Sequence, residues 1–535
     1  MLLTLGMAFT AWGQGGRAGR AAAAQQPAPT ANPAGRGAPA PTSGTGDFFN
    51  YDPTASSAPP IPDAPPVETH QKIGASGETI AYTARAGYMP LRNATTGQSE
   101  AHLFYTSYTK DGVSADAVRP LVFFLGGAPG VAAAWQEFGG LGPKRMKSMS
   151  DGFYNWVDNP HSLLPQADLV FVNPVGTAFS RPDQPARGPN FWNTAADIAS
   201  LAEFVRSFVG RYDRTNSPLY LAGEDFGTAR VAGLADYLND HHIPVHGVVL
   251  LSITPSADSQ AGDTQYITLL PSLIMAAWHH KKLSPELTAM SAEQISGQAR
   301  QFASREYLHA LYKGDRMTAE ERTKVVGGLS RLTGLSKAFL VNNDLRITLD
   351  RFNQELMRDQ HRGLSNSDSR VSGFVPPAAG GRGGGGGRGF APPAPPVDFN
   401  LSSIAPVFQA AYETYLRREL TFNNNNNGGI FYLSSGGIGA FTSTGSDDAS
   451  LAAAFARNPK LRLFVGVNFF DLNSPFYATE YTLAHLNVSP EVRSHNITVS
   501  HFDAGAMTYV DDKALVKLHG DLARFVSEDA STTTK

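Results

Sequence analysis

The stretch SPLYLAGEDFG, Ser217 to Gly227, decides the fold. Leu219–Ala222 is a short apolar run that ends in Gly223, the pattern of a buried strand stopped by a turn residue. Arg230–Leu238 has the apolar spacing of a helix. Between them lies a tight turn flanked by Gly223 and Gly227. Working outward, the same alternation continues in both directions. Ile80–Ala84 and His102–Thr109 have strand character, Leu121–Leu125 is apolar and runs into glycines, and Ala167–Val172 is a buried-strand candidate. Ala195–Tyr212 carries Ile198, Leu201, Ala202, Val205, Phe208 and Val209 at helical spacing. Val245–Leu251, Leu461–Val467 and Ile497–Phe502 are further strands, and a last helix is predicted over Lys513–Val526. Strands alternating with helices imply an α/β protein with a mainly parallel sheet covered on both faces.

The 535 residues suffice for one large domain with an inserted subdomain. A hydrophobic content of 42% is ordinary for a globular chain. The net charge of −3 and the lack of clustered Lys and Arg in the folded part argue against nucleic acid as a partner. There is no cysteine, which excludes disulfides, thiolate nucleophiles and cysteine metal ligands. Residues 1–14 begin MLLTLGMAFTAWG, too short to span a bilayer but suited to a signal peptide. Its opening basic segment is missing, as in a leader truncated at its start. Export to the periplasm or the extracellular space is therefore expected, with no membrane span. Residues 15–62 are Ala, Gly, Pro, Gln and Thr with few large apolar side chains, a composition expected to form a disordered tether. The core is assigned to 63–255 and 426–535, with 256–425 as a helical cap inserted over the strand ends. Within the cap, the Gly/Pro-rich run 376–396 is expected to be a disordered loop. Its G-x-G-x-x-G match follows no strand and opens no helix, so it is no dinucleotide site.

Gly223-Glu224-Asp225-Phe226-Gly227 has the strand-before, helix-after context of the nucleophile elbow G-x-S-x-G of α/β-hydrolases. Its neighbourhood resembles the S10 serine carboxypeptidase family. The matching stretches are ETIAYTARAGYMPLR, FYTSYTKDG, GGAPGVAAAW followed by LGP, DNPHSLLPQADLVFVNPVGTAFS, SPLYLAGEDFG, NFFDLNSPFYATEYTLAHL and HFDAGAMTYV, in the family's order and over nearly all of residues 68–527. The resemblance implies an α/β-hydrolase core with a helical cap and removal of C-terminal residues from peptides.

It also implies roles, position by position. The nucleophilic serine of G-E-S-Y-G is matched by Asp225, the histidine of A-G-H by Ala506, and the family aspartate by Asp471, which is retained. The loop N-G-G-P-G becomes Gly126-Gly127-Ala128-Pro129-Gly130. The asparagine that helps to hold a peptide's terminal carboxylate is thus Gly126, and the glycine whose N–H helps form the oxyanion hole is Ala128. Glu224 is retained, and Phe226 replaces tyrosine with its backbone N–H still available. Serine attack needs a hydroxyl and an imidazole held by the aspartate. Neither is present at the matching positions, and losing either costs on the order of a million-fold in turnover. The expectation is a non-catalytic homologue that keeps a pocket for a peptide or a small molecule, with Gly126, Gly127, Ala128, Glu224 and Phe226 lining it.

The alternative is an active hydrolase: a carboxypeptidase rescued by other groups, or an enzyme that uses Asp225 as haloalkane dehalogenases and epoxide hydrolases use an elbow aspartate, with His501 as the stand-in base. Asp225 facing Asp471 would force one carboxyl to protonate or a cation to enter. No metal or cofactor is predicted, because hard metals recruit more oxygen ligands than two. The tandem pairs His241-His242 and His279-His280 cannot present both rings to one metal. Asn93, Asn400, Asn487 and Asn496 lie in glycosylation-type triplets that matter only in a host with that machinery. Trp135, Trp156 and Trp192 are expected to pack.

Overall fold

Runs such as DLVFV (Asp168–Val172) and VHGVVLLSI (Val245–Ile253) are buried almost throughout, so each strand must meet apolar neighbours on both faces. In a computed structural model the strands are β1 (Val67–Ala75), β2 (Glu78–Arg92), β3 (Ser99–Lys110), β4 (Leu121–Phe124), β5 (Asp168–Val172), β6 (Leu219–Asp225), β7 (Val245–Ile253), β8 (Arg462–Asn468) and β9 (Ile497–Phe502). With Arg181–Pro182, which pairs with β3, they form one ten-stranded sheet in the order β1-β2-β3-β5-β4-β6-β7-β8-β9. The first three strands and the β3–β5 pair are antiparallel, and β5, β4, β6, β7, β8 and β9 are parallel. The structure describes residues 64–114, 118–127, 130–148, 154–375, 398–423 and 447–527, together with 61, 433 and 441. The leader, all of the tether except Ile61, and the run 376–396 lie outside the described residues. All described residues belong to one unit, Asn50–Lys535.

The principal helices are α1 (Thr194–Arg211), α2 (Gly227–Asp240), α3 (Thr264–His279), α4 (Ala292–Phe302), α5 (Ala319–Thr333), α6 (Phe399–Arg418), α7 (Asp447–Arg457), α8 (Phe476–His485) and α9 (Asp512–Ser527). The helix α1 starts where Asn193 caps it, its side chain accepting from the Ala196 N–H at 2.9 Å. Alternation along the strands splits the core in two. Leu121, Phe123, Leu219 and Leu221 pack with Leu201, Val205 and Leu234 of α1 and α2. Val122, Phe124, Tyr220 and Ala222 pack with Leu515, Leu518 and Leu522 of α9. Each such buried side chain contributes roughly 1.5–3 kcal/mol, which fixes the strand register. Between β7 and β8 the chain runs through α3 to α7.

Two elements differ from the sequence reading. The strand β6 does not stop at Ala222; its pairing with β7 continues to Ile253↔Asp225, so the ladder carries the chain through Gly223. The strand β1 has no apolar alternation, because it is an edge strand paired only with β2 and most of its residues are partly or fully open to solvent.

Candidate active site

Parallel pairing brings the carboxyl ends of β4, β6, β8 and β9 to one edge of the sheet, the usual place for a site in an open α/β fold. Gly126 and Gly127 follow β4, Asp225 ends β6, Asp471 follows β8 and Ala506 follows β9.

At the elbow the chain passes from β6 into α2 through Phe226 alone. Asp225 takes φ +51°, the left-handed region, which costs a residue with a Cβ about 1–2 kcal/mol and suits Asp better than most. A Cβ on Gly227 would collide with the Gly126 carbonyl, so only glycine lets the elbow close on the loop after β4. The turn is tied from behind. Thr228 Oγ1 donates to the Asp225 carbonyl at 2.6 Å. The fully buried Arg230 donates to Asp197 at 2.6 Å and to the Leu125 and Gly127 carbonyls at 2.9 Å each. Phe226 packs edge-on against Phe441.

Gly126 has φ +69° and donates its N–H to Gln136 Oε1 at 3.2 Å. A Cβ there would stand 3.0 Å from the Val131 carbonyl, which is tight. Ala128 lies outside the described residues.

The acid side of the site is unusual. Asp471 is fully buried; its Oδ1 accepts from the Asn473 and Ser474 N–H groups at 2.9 and 3.1 Å, and its Oδ2 has no hydrogen-bond partner. Ala506 is held in place by its backbone: its N–H donates to the Ser367 carbonyl at 2.6 Å and its carbonyl accepts from Ser252 Oγ at 2.8 Å. Glu224 is buried, accepts from the Tyr509 hydroxyl at 2.6 Å through Oε2, and leaves Oε1 unpaired. Burial pushes Glu224 up to about 8, opposed by Tyr509 and reinforced by the charges of Asp225 and Asp471. Burial pushes Asp471 up to about 7, opposed by the Ser474 N–H. Asp225 stays exposed at the mouth, yet its crowded surroundings raise its carboxyl as well, and the Phe226 N–H acts the other way.

A fourth acid completes the group. Asp447 is buried beside the elbow, with Thr228 Oγ1 at 2.6 Å from its Oδ2. Thr228 has one hydroxyl proton for two acceptors, so Asp447 must bring a proton of its own, in keeping with its rise by burial to about 6. Asp447 was not legible in the sequence, where it sits in a polar run without a motif. Tyr509 was within reach, since it lies in the segment HFDAGAMTYV.

His501 is committed elsewhere. Its Nε2 lies 2.7 Å from Glu480 Oε1, its ring stacks on Phe469, and Glu480 also takes a two-pronged contact from Arg300. It lines a cavity of about 530 Å³ with Arg300, Phe469 and Asp503, a lining that includes neither Asp225 nor Asp471. His280 bonds to the Ser369 carbonyl and His241 stacks on Tyr237. Trp135 stacks on Phe408 and Trp156 packs edge-on against Tyr415, while Trp192 is buried. Among the described residues no group of three or more His, Asp or Glu is placed to hold a metal, and no helix is long and apolar enough to cross a membrane.

A parallel sheet with an elbow at the carboxyl end of an inner strand, covered by helices on both faces, defines an α/β-hydrolase. The serine carboxypeptidase family profile (Peptidase_S10) matches residues 75–318, so over that stretch this α/β-hydrolase fold is similar to the S10 serine carboxypeptidases. It is 25% identical over 189 residues to the "Carboxypeptidase Y homolog" of Arthroderma benhamiae, covering 34% of each chain. To the "Pheromone-processing carboxypeptidase KEX1" of Saccharomyces cerevisiae it is 23% identical over 167 residues, 29% of this chain and 22% of the relative. The matched stretch thus spans about a third or less of these relatives' own length. The crystal structure of the prohormone-processing carboxypeptidase Kex1(delta)p of S. cerevisiae is similar in fold, with a TM-score of 0.53 at 15% identity over 84% of this chain and 91% of the other. The profile ends before Asp471 and Ala506, so their correspondence to family positions rests on their motifs and on their places after β8 and β9.

Proposed function

We propose that this chain is an exported serine carboxypeptidase-like protein that does not turn over peptides by serine chemistry and keeps its elbow site as a pocket for a peptide or small molecule. One observation carries this reading: the loop that should bear the imidazole is wired in place by Ser252 and Ser367, and the residue it presents is Ala506. Asp471 keeps its backbone donors and lacks the partner that a histidine ring would be. Asp225 has no hydroxyl to deprotonate. In this reading the helices of 256–425 form the cap over the pocket, and residues 1–14 form the export signal.

The test is hydrolysis of blocked dipeptides and simple esters by the full chain and by the double variant Asp225→Ser/Ala506→His. The wild type should show no turnover above background, and the double variant should gain some. Wild-type cleavage at rates comparable with active relatives would sink the proposal.

A second reading is favoured by the position of Asp225 itself, exposed at the elbow with left-handed φ, where a nucleophile would stand. Its raised affinity for a proton works against attack, and His501 is bound to Glu480. Mass spectrometry after incubation with epoxides or haloalkanes checks it; an adduct on Asp225 would establish this chemistry, and its absence ends the idea.

A further inference from the structure

A separate buried acid joins the loop after β4 to a helix far away in sequence. Glu137 opens a single π-helical turn, Glu137–Leu141, which the Gly142 N–H closes on the Glu137 carbonyl at 2.8 Å. Turns of this kind occur frequently at functional sites. The Glu137 side chain is buried. Tyr108 of β3 donates to its Oε1 at 2.5 Å, and Tyr412 of α6 donates to its Oε2 at 2.7 Å. The Tyr415 hydroxyl of α6 lies 2.9 Å from that of Tyr108. Each phenol has one proton, so Tyr415 donates to Tyr108 when Glu137 is ionised, and the chain reverses when Glu137 carries a proton. Both protonation states fit one geometry.

No cation is among the described groups that act on Glu137. The hairpin beside the turn, Lys144–Ser148 with Tyr154–Asp158, carries Lys144 and Arg145, which pair with Asp158 and Asp512. Tyr509, against Gly139 and Gly140, is bonded to Glu224. Further out, Tyr82, Asp158 and Glu419 act on the tyrosines, and none of them is positive. A carboxylate buried among neutral phenols gives up its hydration without a counter-charge. Burial accordingly pushes Glu137 up to about 7, opposed by the Tyr108 and Tyr412 hydroxyls.

The cluster has a short route to the elbow. Gln136, the neighbour of Glu137, accepts the Gly126 N–H at 3.2 Å. Trp135 stacks on Phe408 of α6 at 4.3 Å, and Phe138 packs against Phe408, Tyr412 and Tyr415. The helix α6 thus covers residues 134–141, the segment that holds Gly126.

We propose that Glu137 and its three tyrosines form a pH-sensitive latch, which holds α6 on residues 134–141 in acid and loosens the pair as Glu137 ionises. Opening returns the carboxyl to water and to its ordinary affinity for protons. The docked state is therefore favoured in full below about pH 4.5, progressively less up to about pH 7, and evenly above that. The latch does not depend on whether the elbow turns over peptides.

The test is hydrogen exchange of the full chain, read by mass spectrometry on peptides from α6 and from 134–141. Protection factors remove the intrinsic pH dependence of exchange. Between pH 4.5 and 7 protection should fall in both segments together, by on the order of a hundredfold, and then level off. Glu137→Gln, which cannot ionise, should abolish the fall. Tyr412→Phe removes one donor to the carboxylate and should move the levelling point up by about one pH unit; it decides the matter if Glu137→Gln does not fold. Protection in α6 that is constant with pH, an equal fall in Glu137→Gln or an unmoved levelling point in Tyr412→Phe would each overturn the proposal. So would a fall of the same size in α1, because the whole fold would then be opening.

Discussion

Asp197 and Asp471 flank the same elbow and differ in one respect: one has a counter-charge and the other does not. Asp197 pairs with Arg230, whose Nη1 donates to the Leu125 and Gly127 carbonyls, so separate chain segments are tied by one guanidinium. Asp471 has two backbone donors on one oxygen and nothing on the other. The lesson is that the scaffold of the site and its chemistry have separated. The side that shapes the elbow is fully satisfied. The side where the resemblance places the acid–base group has a buried carboxyl with one oxygen unpaired.

The comparison breaks most visibly at Arg230. Replacing it by Met removes one partner of a buried ion pair and strands Asp197, which should cost about 3–5 kcal/mol. Urea denaturation of the variant checks this. A loss below about 1 kcal/mol would mean that the pair is not the clamp described here and that the two carboxyls are not different in kind.

A smaller effect should separate the acid side by pH. Glu224, Asp471 and Asp447 have folded pKa values of about 8, 7 and 6, raised above their ordinary carboxylate values. The folded state therefore binds more protons than the unfolded state between roughly pH 4 and 8, and stability falls as pH rises through that window. Glu224→Gln/Asp471→Asn keeps two of these groups neutral at every pH. From pH 5 to 8.5 the wild type should lose stability relative to this variant, read from urea midpoints at each pH. A difference that does not change with pH would mean that neither carboxyl gains a proton on folding. The other titratable groups acting on these three carboxyls are Asp225, Asp448 and Tyr509, and none carries a positive charge that would reverse the sign.

Much of this was readable in the chain. The inner strands stand out because both faces are buried, which forces continuous apolar runs such as Leu121–Phe124 and Val245–Ile253. The edge strand Val67–Ala75 does not, because most of its residues meet solvent. Asp225, Asp471 and Ala506 were legible because each sits in a short motif of fixed spacing. Their partners were not. Tyr509 meets Glu224 across 285 residues and Asp447 meets Thr228 across 219, contacts that only the sheet order brings about. The unpaired oxygens of Asp471 and Glu224 could not be read either, since a missing partner is a property of the packed neighbourhood.

The smallest predicted effect concerns His501, and it decides how complete the separation is. Its contact with Glu480 is half-exposed, and Glu480 keeps both prongs of Arg300 when the ring is gone. His501→Ala should therefore cost no more than about 1 kcal/mol by urea denaturation. The same variant probes chemistry. If Asp225 forms an ester with an alkylating substrate, its hydrolysis needs an activated water, and His501 is the base proposed from the sequence to supply one. Slower release of a trapped adduct in His501→Ala would place that ring in the reaction despite its bond to Glu480. An unchanged stability with no adduct in either protein leaves His501 as a partner of Glu480 and Asp471 as a carboxyl with no base to orient.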